Sequence, residues 1–156
     1  MAKDNALIGA AGEYYVAFRL LARRYTVALT PRRTTSIDLI VANPKTGKSV
    51  TVQTKTMENA FVRSKDLWNW RVGKLRKPHA SFFYIFIDLK NDPSQTPDVF
   101  IVPSGKLRSL LTVYPQGVDP ESPEARDIWC GIEEKDEEKY RNQNGWKIIE
   151  DVLRKE

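Results

Sequence analysis

The sequence predicts a single α/β domain in which helices flank a mixed β-sheet. Its 156 residues, 41% of them hydrophobic, suffice for one domain with one core. Apolar residues recur at helical spacing near both ends of the chain, and segments rich in β-branched and aromatic residues lie between these ends. No repeat or Gly/Ser linker divides the sequence. We therefore expect residues 1–156 to form one domain.

The first predicted element is a helix from Asp4 to about Arg24, with Asp4 as its N-cap. Its main apolar stripe recurs at helical spacing and consists of Leu7, Ala11, Tyr15, Phe18 and Ala22. Roughly opposite this stripe, Glu13 lies in a strip of small residues formed by Ala6, Gly9, Ala10 and Ala17. Small neighbours allow close approach of another chain segment, which makes Glu13 a candidate functional acid. The alternative is an exposed helix residue.

Three strands are predicted after this helix. Residues 25–29 alternate as a short strand that ends before Pro31, and residues 36–41 and 49–56 follow as the next two strands. The turn at 43–48 joins the latter two into a hairpin. If this turn is symmetric, residues whose numbers sum to 91 face each other across the hairpin, unless a bulge shifts the register.

The next part of the chain is less regular. Residues 57–80 could hold a helix, a strand or an ordered loop. Residues 82–87 are apolar without alternation, which favours a central strand covered on both faces, and residues 99–102 are the next strand candidate.

The C-terminal part is predicted to be a helical extension of about residues 104–156, beyond a core of about residues 4–103. Ser104 caps a helix through about Leu111, and the proline-rich stretch 115–123 is a surface connection. A last helical region starts near Glu133, breaks at 144–145 and resumes at Trp146.

Composition excludes several classes of protein. The single cysteine, Cys130, excludes an internal disulfide, and with one histidine, His79, the chain cannot build a Cys/His zinc site. We interpret both residues as structural, although His79 is also a candidate general base. No apolar run is long enough to span a bilayer and no signal peptide is apparent, so we expect a cytoplasmic protein that does not contact membranes.

Charge is distributed unevenly along the chain. The segment through Lys90 carries 16 Lys/Arg and 6 Asp/Glu, a net +10, whereas the remainder carries 9 and 14, a net −5. A strongly basic segment attracts polyanions such as nucleic acid, unless its cations are scattered over the surface. The acidic run 133–138 is predicted to be a solvated helix face.

One set of residues indicates catalytic chemistry. In the symmetric hairpin Asp38 faces Gln53, and Lys55 projects to the same face because the side-chain period of a strand is two residues. Asp38, Gln53 and Glu13 offer the oxygen ligands that Mg²⁺ prefers, and Mn²⁺ would suit the same ligands. Lys55 could stabilise negative charge developing on a phosphate. The alternative is a weak surface ion pair.

These motifs resemble the PD-(D/E)XK nuclease superfamily, which includes restriction endonucleases and Holliday-junction resolvases. The matching segments are Gly9 to Glu13, Ser36-Ile37-Asp38 and Gln53-Thr54-Lys55. The resemblance implies an α-β-β-β-α-β restriction-endonuclease-like core, with the first-helix acid at Glu13, the metal-binding acid at Asp38 and the third-motif pair at Gln53 and Lys55. Ile37 departs from the nominal proline, and Gln53 replaces an acidic residue. The second departure weakens metal attraction.

Substrate contacts are predicted at cationic residues on either side of the third motif. The candidates are Arg32, Arg33, Arg63, Lys65, Arg71, Lys74, Arg76 and Lys77. Trp68 and Trp70 could stack on an unpaired base, but two tryptophans at this spacing are more typical of one buried strand face.

The sequence thus favours a Mg²⁺- or Mn²⁺-dependent endonuclease acting on duplex or branched DNA. A catalytically inactive nucleic-acid-binding protein is the first alternative, because of Gln53. A protein-interaction module is the second. A homodimer is compatible with cutting both strands of DNA, but the sequence shows no self-complementary surface.

Overall fold

Two β-sheets and a helical layer make up the fold in the computed structural model, which describes residues 4–31 and 36–155. The first sheet has the order β1-β2-β3-β6-β7 and the second the order β4-β5-β9-β8. The elements are α1 (Asn5–Ala22), β1 (Thr26–Leu29), β2 (Leu39–Ala42), β3 (Ser49–Met57), β4 (Phe61–Val62), β5 (Leu67–Val72), β6 (Phe82–Asp88), β7 (Asp98–Pro103), α2 (Ser104–Leu107), β8 (Leu111–Tyr114), β9 (Asp127–Glu133), α3 (Glu134–Tyr140) and α4 (Asn142–Arg154). β3 and β6 run parallel while the other neighbours in the first sheet are antiparallel, so the predicted mixed sheet flanked by helices is confirmed.

Strand β6 lies between two hydrophobic layers, as its lack of alternation predicts. All seven of its residues are buried. Phe83, Ile85 and Ile87 pack with residues of α1 and α4, whereas Tyr84 and Phe86 pack towards the second sheet. The first sheet is therefore covered on one face by helices and on the other by the second sheet.

Helix α1 begins as predicted, because the Asp4 carboxylate accepts a hydrogen bond from the Leu7 amide at 3.3 Å. Its predicted apolar stripe, however, is mostly not the buried face, since Leu7 and Phe18 are exposed. The helix instead buries Gly12, Val16, Ala17 and Leu20. Gly12 allows this packing: a β-carbon at Gly12 would lie 1.8 Å from the Thr56 hydroxyl oxygen on β3. Of the predicted small-residue strip, Ala17 lies on this buried face, whereas a β-carbon at Gly9 would have no neighbour within 4 Å.

The β2–β3 hairpin has the predicted register. Leu39 pairs with Val52, and every pair in the ladder sums to 91. In the turn, the Gly47 amide donates to the Asn43 carbonyl at 2.8 Å, with Gly47 at φ 73°, a conformation that glycine adopts without strain. β2 begins at Leu39 and not near residue 36, so Asp38 lies immediately before the paired strand. The Asp38 N–H donates to the Val52 carbonyl at 2.8 Å, one position away from the predicted partner Gln53, so the register shifts at Asp38.

Residues 57–80, where the resemblance implies a helix, contain β4 and β5 instead. β5 pairs with β9, and Trp70 lies opposite Cys130. Trp70 is fully buried and its indole N–H donates to the Ile87 carbonyl at 3.0 Å, so base stacking by Trp70 is wrong and the buried-strand alternative holds. Cys130 is a buried core thiol, as predicted, and burial raises its pKa.

The region 104–156 is only partly helical, because β8 and β9 complete the second sheet. The two last helices, α3 and α4, are separated at Arg141 and not at 144–145, because Gly145 lies inside α4. A β-carbon at Gly145 would lie 2.1 Å from the Tyr140 carbonyl oxygen, so close packing explains this glycine. Glu134 and Glu138 are exposed, which confirms the solvated acidic face of α3.

Helix α1 has 18 residues, and α4 has 13. Within the described residues, none of the helices combines the length and the hydropathy that crossing a bilayer requires.

Candidate active site

Asp38 occupies a gap at the edge of β3. The β2–β3 ladder ends at the pair Leu39–Val52, so the Thr54 amide has no strand partner on that side. The Asp38 carboxylate takes its place: Oδ2 accepts hydrogen bonds from the Thr54 backbone N–H at 2.7 Å and from the Thr54 hydroxyl at 3.2 Å. An unpaired backbone N–H would be unfavourable here, and the carboxylate both satisfies it and is held in one orientation.

Gln53 and Lys55 project from β3 towards the second sheet. They lie opposite Tyr84 and Phe86 on the parallel neighbour β6, and those two residues pack in the layer between the sheets. The Gln53 side-chain oxygen is buried and has no hydrogen-bond partner among the described residues. Leaving a buried acceptor unpaired costs about 1–3 kcal/mol. A hydrogen bond or a ligand at this oxygen would offset that cost.

The Lys55 ammonium group is partly removed from water. Burial lowers its pKa, and the negative charge of Asp38 opposes that shift. The two groups are therefore electrostatic neighbours. A β-carbon at Gly73 would lie 3.8 Å from Lys55 Nζ, so the backbone after β5 forms one wall beside the ammonium group.

Glu13 lies on the helical side of the first sheet. α1 packs with Val50 and Val52, which alternate along β3 with Gln53 and Lys55, so α1 covers the opposite face. The close contact between Gly12 and Thr56 places this part of the helix beside the same end of β3. The structure thus brings Asp38 and Lys55 near each other, while roles for Gln53 and Glu13 stay predictions.

The oxygen donors at this edge suit a hard divalent cation. Within residues 4–31 and 36–155, no three His, Cys, Asp or Glu side chains are grouped so that they could hold a metal ion. A centre at Asp38 would therefore depend on amide and water oxygens as well as carboxylates, which is the ligand set that Mg²⁺ commonly accepts. The unpaired Gln53 oxygen fits this requirement.

A cationic cleft begins at Lys55. It has a volume of about 1290 Å³, larger than the roughly 300–1,000 Å³ of small-molecule pockets. Glu121 is the acidic side chain among its lining residues, and a proline-containing segment from 120 to 126 forms part of its wall. Its cationic lining residues are Lys55, Arg71, Lys74, Lys77 and Arg126. Arg71 also pairs with Asp127 at 3.1 Å, and the other cations leave the cleft with a net positive charge.

Some of the predicted substrate-contact residues line the cleft and others lie away from it. Arg71, Lys74 and Lys77 line the cleft, and the Arg76 guanidinium lies 5.4 Å from the centre of the Phe82 ring. Arg63 and Lys65 lie in the turn before β5, whose six residues span about 20 Å, so they do not join Lys55. Arg32 and Arg33 lie outside the described residues.

Sequence reasoning missed three residues of this region. Thr54 orients Asp38, Tyr84 is buried beside Gln53, and Arg126 lines the cleft. The position of Thr54 between two candidate residues was a usable signal. Tyr84 and Arg126 required knowledge of which distant strands become neighbours.

Comparison with known proteins gives a fold likeness. No protein-family model matches the chain, and no curated protein sequence matches it. Among solved structures, the chain is similar to the bacterial homing endonuclease I-Ssp6803I, with a TM-score of 0.60 over 97% of this chain and 95% of that chain. Sequence identity in that comparison is 13%, so the likeness concerns the fold. The protein therefore has a nuclease-like α/β fold.

Proposed function

We propose that this protein is a metal-dependent endonuclease that hydrolyses phosphodiester bonds in DNA. The observation that carries the proposal is a fixed carboxylate, Asp38, near the partly buried ammonium group of Lys55 at the start of a cationic cleft. The unpaired amide oxygen of Gln53, two residues before Lys55 on the same strand, supports it. The fold likeness to a homing endonuclease supports the same class of activity. The PD-(D/E)XK motifs give the proposed residue roles.

Asp38 and Gln53 would hold Mg²⁺ or Mn²⁺, with Glu13 as a third candidate ligand. When bound, the ion would supply Lewis-acid stabilisation of the scissile phosphate. Thr54 keeps the Asp38 carboxylate oriented through two hydrogen bonds, so little reorganisation is needed for binding. The amide oxygen of Gln53 contributes a dipole without a full negative charge.

Lys55 would donate a hydrogen bond to a phosphate oxygen as negative charge develops on it. The partial burial of its ammonium group strengthens this interaction, because the surrounding dielectric constant is lower than that of water. The other cleft cations, Arg71, Lys74, Lys77 and Arg126, would neutralise neighbouring phosphates and hold the strand in register.

A second candidate function is DNA binding without catalysis. The observation that favours it is Gln53, which removes one negative charge from the place where the superfamily pattern has an acid. The cationic cleft would be unaffected by this loss. The two candidates therefore differ in cleavage and not in DNA affinity.

The deciding experiment incubates the full chain with plasmid and branched DNA in Mg²⁺, in Mn²⁺ and in EDTA. We expect cleavage with either metal ion and none in EDTA. An Asp38→Asn variant should keep DNA binding but lose cleavage, with its fold checked by circular dichroism. DNA binding without cleavage in either metal ion would select the second candidate, and activity gained by Gln53→Glu would confirm that choice. Absence of any DNA binding at low salt would contradict both candidates and favour a protein-interaction module.

The cleft makes a separate prediction about the salt dependence of DNA binding. Each phosphate contact contributes about −0.9 to the slope of log K against log salt concentration for duplex DNA. Replacing Lys74 and Lys77 together by glutamine should make the slope shallower by about 2. The matched pair Arg63→Gln and Lys65→Gln removes the same charge outside the cleft and should leave the slope unchanged. Equal effects of both pairs would contradict binding in the cleft.

A further inference from the structure

The outer face of α1 is apolar and has no partner within the described chain. Leu7, Tyr14, Phe18 and Leu21 are 68%, 63%, 61% and 51% exposed. At about 100° per residue these four side chains and the exposed Ala11 fall within roughly 80° of the helix circumference. Large exposed apolar patches on soluble proteins mark interaction sites.

The spacing of this face matches that of a helix that packs against another helix. Positions 7, 11, 14, 18 and 21 alternate steps of four and three residues, which is the seven-residue pattern of helix pairs. The charged residues of α1, Glu13 and Arg19, lie outside this arc. A partner helix would therefore meet an uninterrupted apolar surface.

We infer that this face is a homodimer interface in which two copies of α1 pack antiparallel about a two-fold axis. With Tyr14 at the axis, residues whose numbers sum to 28 meet, so Leu7 contacts Leu21 of the second copy. Ala11 then lies one residue from direct alignment with Phe18 of the second copy, and a small side chain accommodates a large one. An isologous interface requires this kind of self-complementarity, and antiparallel helix dipoles favour the same arrangement.

The available area suits a weak but specific dimer. At their exposed fractions, the four large side chains offer on the order of 450 Å² per copy. Twice this area, with the alanines that flank it, reaches the roughly 1,000 Å² that a specific interface requires. We expect a dissociation constant in the micromolar range, because weak and transient complexes lie at the low end of interface size.

The dimer would leave both candidate active sites accessible. α1 covers the face of the first sheet opposite to Gln53 and Lys55, so its outer surface points away from the cationic cleft. The inference therefore does not depend on the proposed function, and its test measures association alone.

The first test is analytical ultracentrifugation of the full chain from about 1 to about 100 µM, which brackets a micromolar affinity. We expect a monomer–dimer equilibrium that Phe18→Glu shifts to monomer, with at least a tenfold increase in the dissociation constant. Ile40→Glu is the matched control, because Ile40 is 43% exposed and lies opposite Thr51 on the other face of the sheet. Its dissociation constant should equal that of the parent protein.

A second test uses cysteine cross-linking to determine which residues of the two copies lie close together. Tyr14→Cys should form a disulfide-linked dimer on mild oxidation, whereas the parent protein should not, because Cys130 is fully buried. Leu7→Cys alone should cross-link poorly, and Leu7→Cys mixed with Leu21→Cys should cross-link well.

A parent chain that stays monomeric at the highest concentration, or a dimer that resists Phe18→Glu, would overturn the inference. A monomer that co-sediments with anionic lipid vesicles would instead assign the face to a membrane surface.

Discussion

Replacing Lys55 by methionine is expected to slow DNA cleavage strongly and, at the same time, to stabilise the fold. The ammonium group lies where burial lowers its pKa, so the folded protein holds the charge at an energetic cost. Methionine has a similar length and no charge, and replacement of a buried charge by a well-packed apolar group is often neutral or stabilising. Loss of one preorganised electrostatic contact to the transition state lowers kcat by about 100- to 1,000-fold.

The pH dependence of this stabilisation has a definite sign. The pKa of Lys55 is lower in the folded protein than in the unfolded chain. At pH values between these two pKa values, the unfolded chain binds more protons than the folded protein, so the free energy of unfolding increases with pH in that range. The advantage of Lys55→Met over the parent protein should therefore be largest at low and neutral pH and decrease as pH approaches the ordinary lysine pKa of 10.5.

Cleavage rate and thermal midpoint, measured on the same preparations, check this prediction. Lys147→Met is the control, since Lys147 is exposed on α4, outside the cleft. It should change neither the cleavage rate nor the melting temperature appreciably. If Lys55→Met retained full cleavage activity, Lys55 would have no role in the active site. Lost cleavage together with lost stability would show that the side chain is mainly structural.

The pairing of the hairpin that carries the candidate site could be predicted from the sequence, because it depends on residues close together in the chain. Asp38, Gln53 and Lys55 lie on one hairpin, whose register follows from the position of a six-residue turn and the two-residue period of strands. The central strand β6 could be predicted equally well, because an apolar run without alternation is typical of a strand that is covered on both faces.

The second sheet could not be predicted in this way. Its central pair joins Trp70 to Cys130, sixty residues apart, and neither strand carries a pattern that identifies its partner. The prediction of the buried face of α1 was wrong for a related reason. Large residues such as Phe18 suggest a core face, but the contact between Gly12 and Thr56 brings the face with Gly12 and Val16 against the sheet. Tertiary packing therefore decided both features.

Gly12→Ala is expected to destabilise the protein even though alanine is the better helix former. The added β-carbon would lie 1.8 Å from the Thr56 hydroxyl oxygen and 2.9 Å from the Thr56 β-carbon, so either the helix or strand β3 must move. Overpacking of this kind costs about 1–3 kcal/mol, which exceeds the helix-propensity gain of about 1 kcal/mol. For a chain of this length, each kcal/mol changes the melting temperature by about 2–4 °C.

Gly9→Ala isolates the contact, because it makes the same chemical change one turn earlier in the same helix. No atom would lie within 4 Å of a β-carbon at Gly9, so this variant should gain stability by up to about 1 kcal/mol. Thermal unfolding should therefore move in opposite directions for the two variants. Combining Gly12→Ala with Thr56→Ala should recover part of the loss, since the hydroxyl makes the shortest contact. Equal stabilisation by Gly9→Ala and Gly12→Ala would show that α1 lies farther from β3 than the structure places it, and the buried face assigned to α1 would then have to be reconsidered.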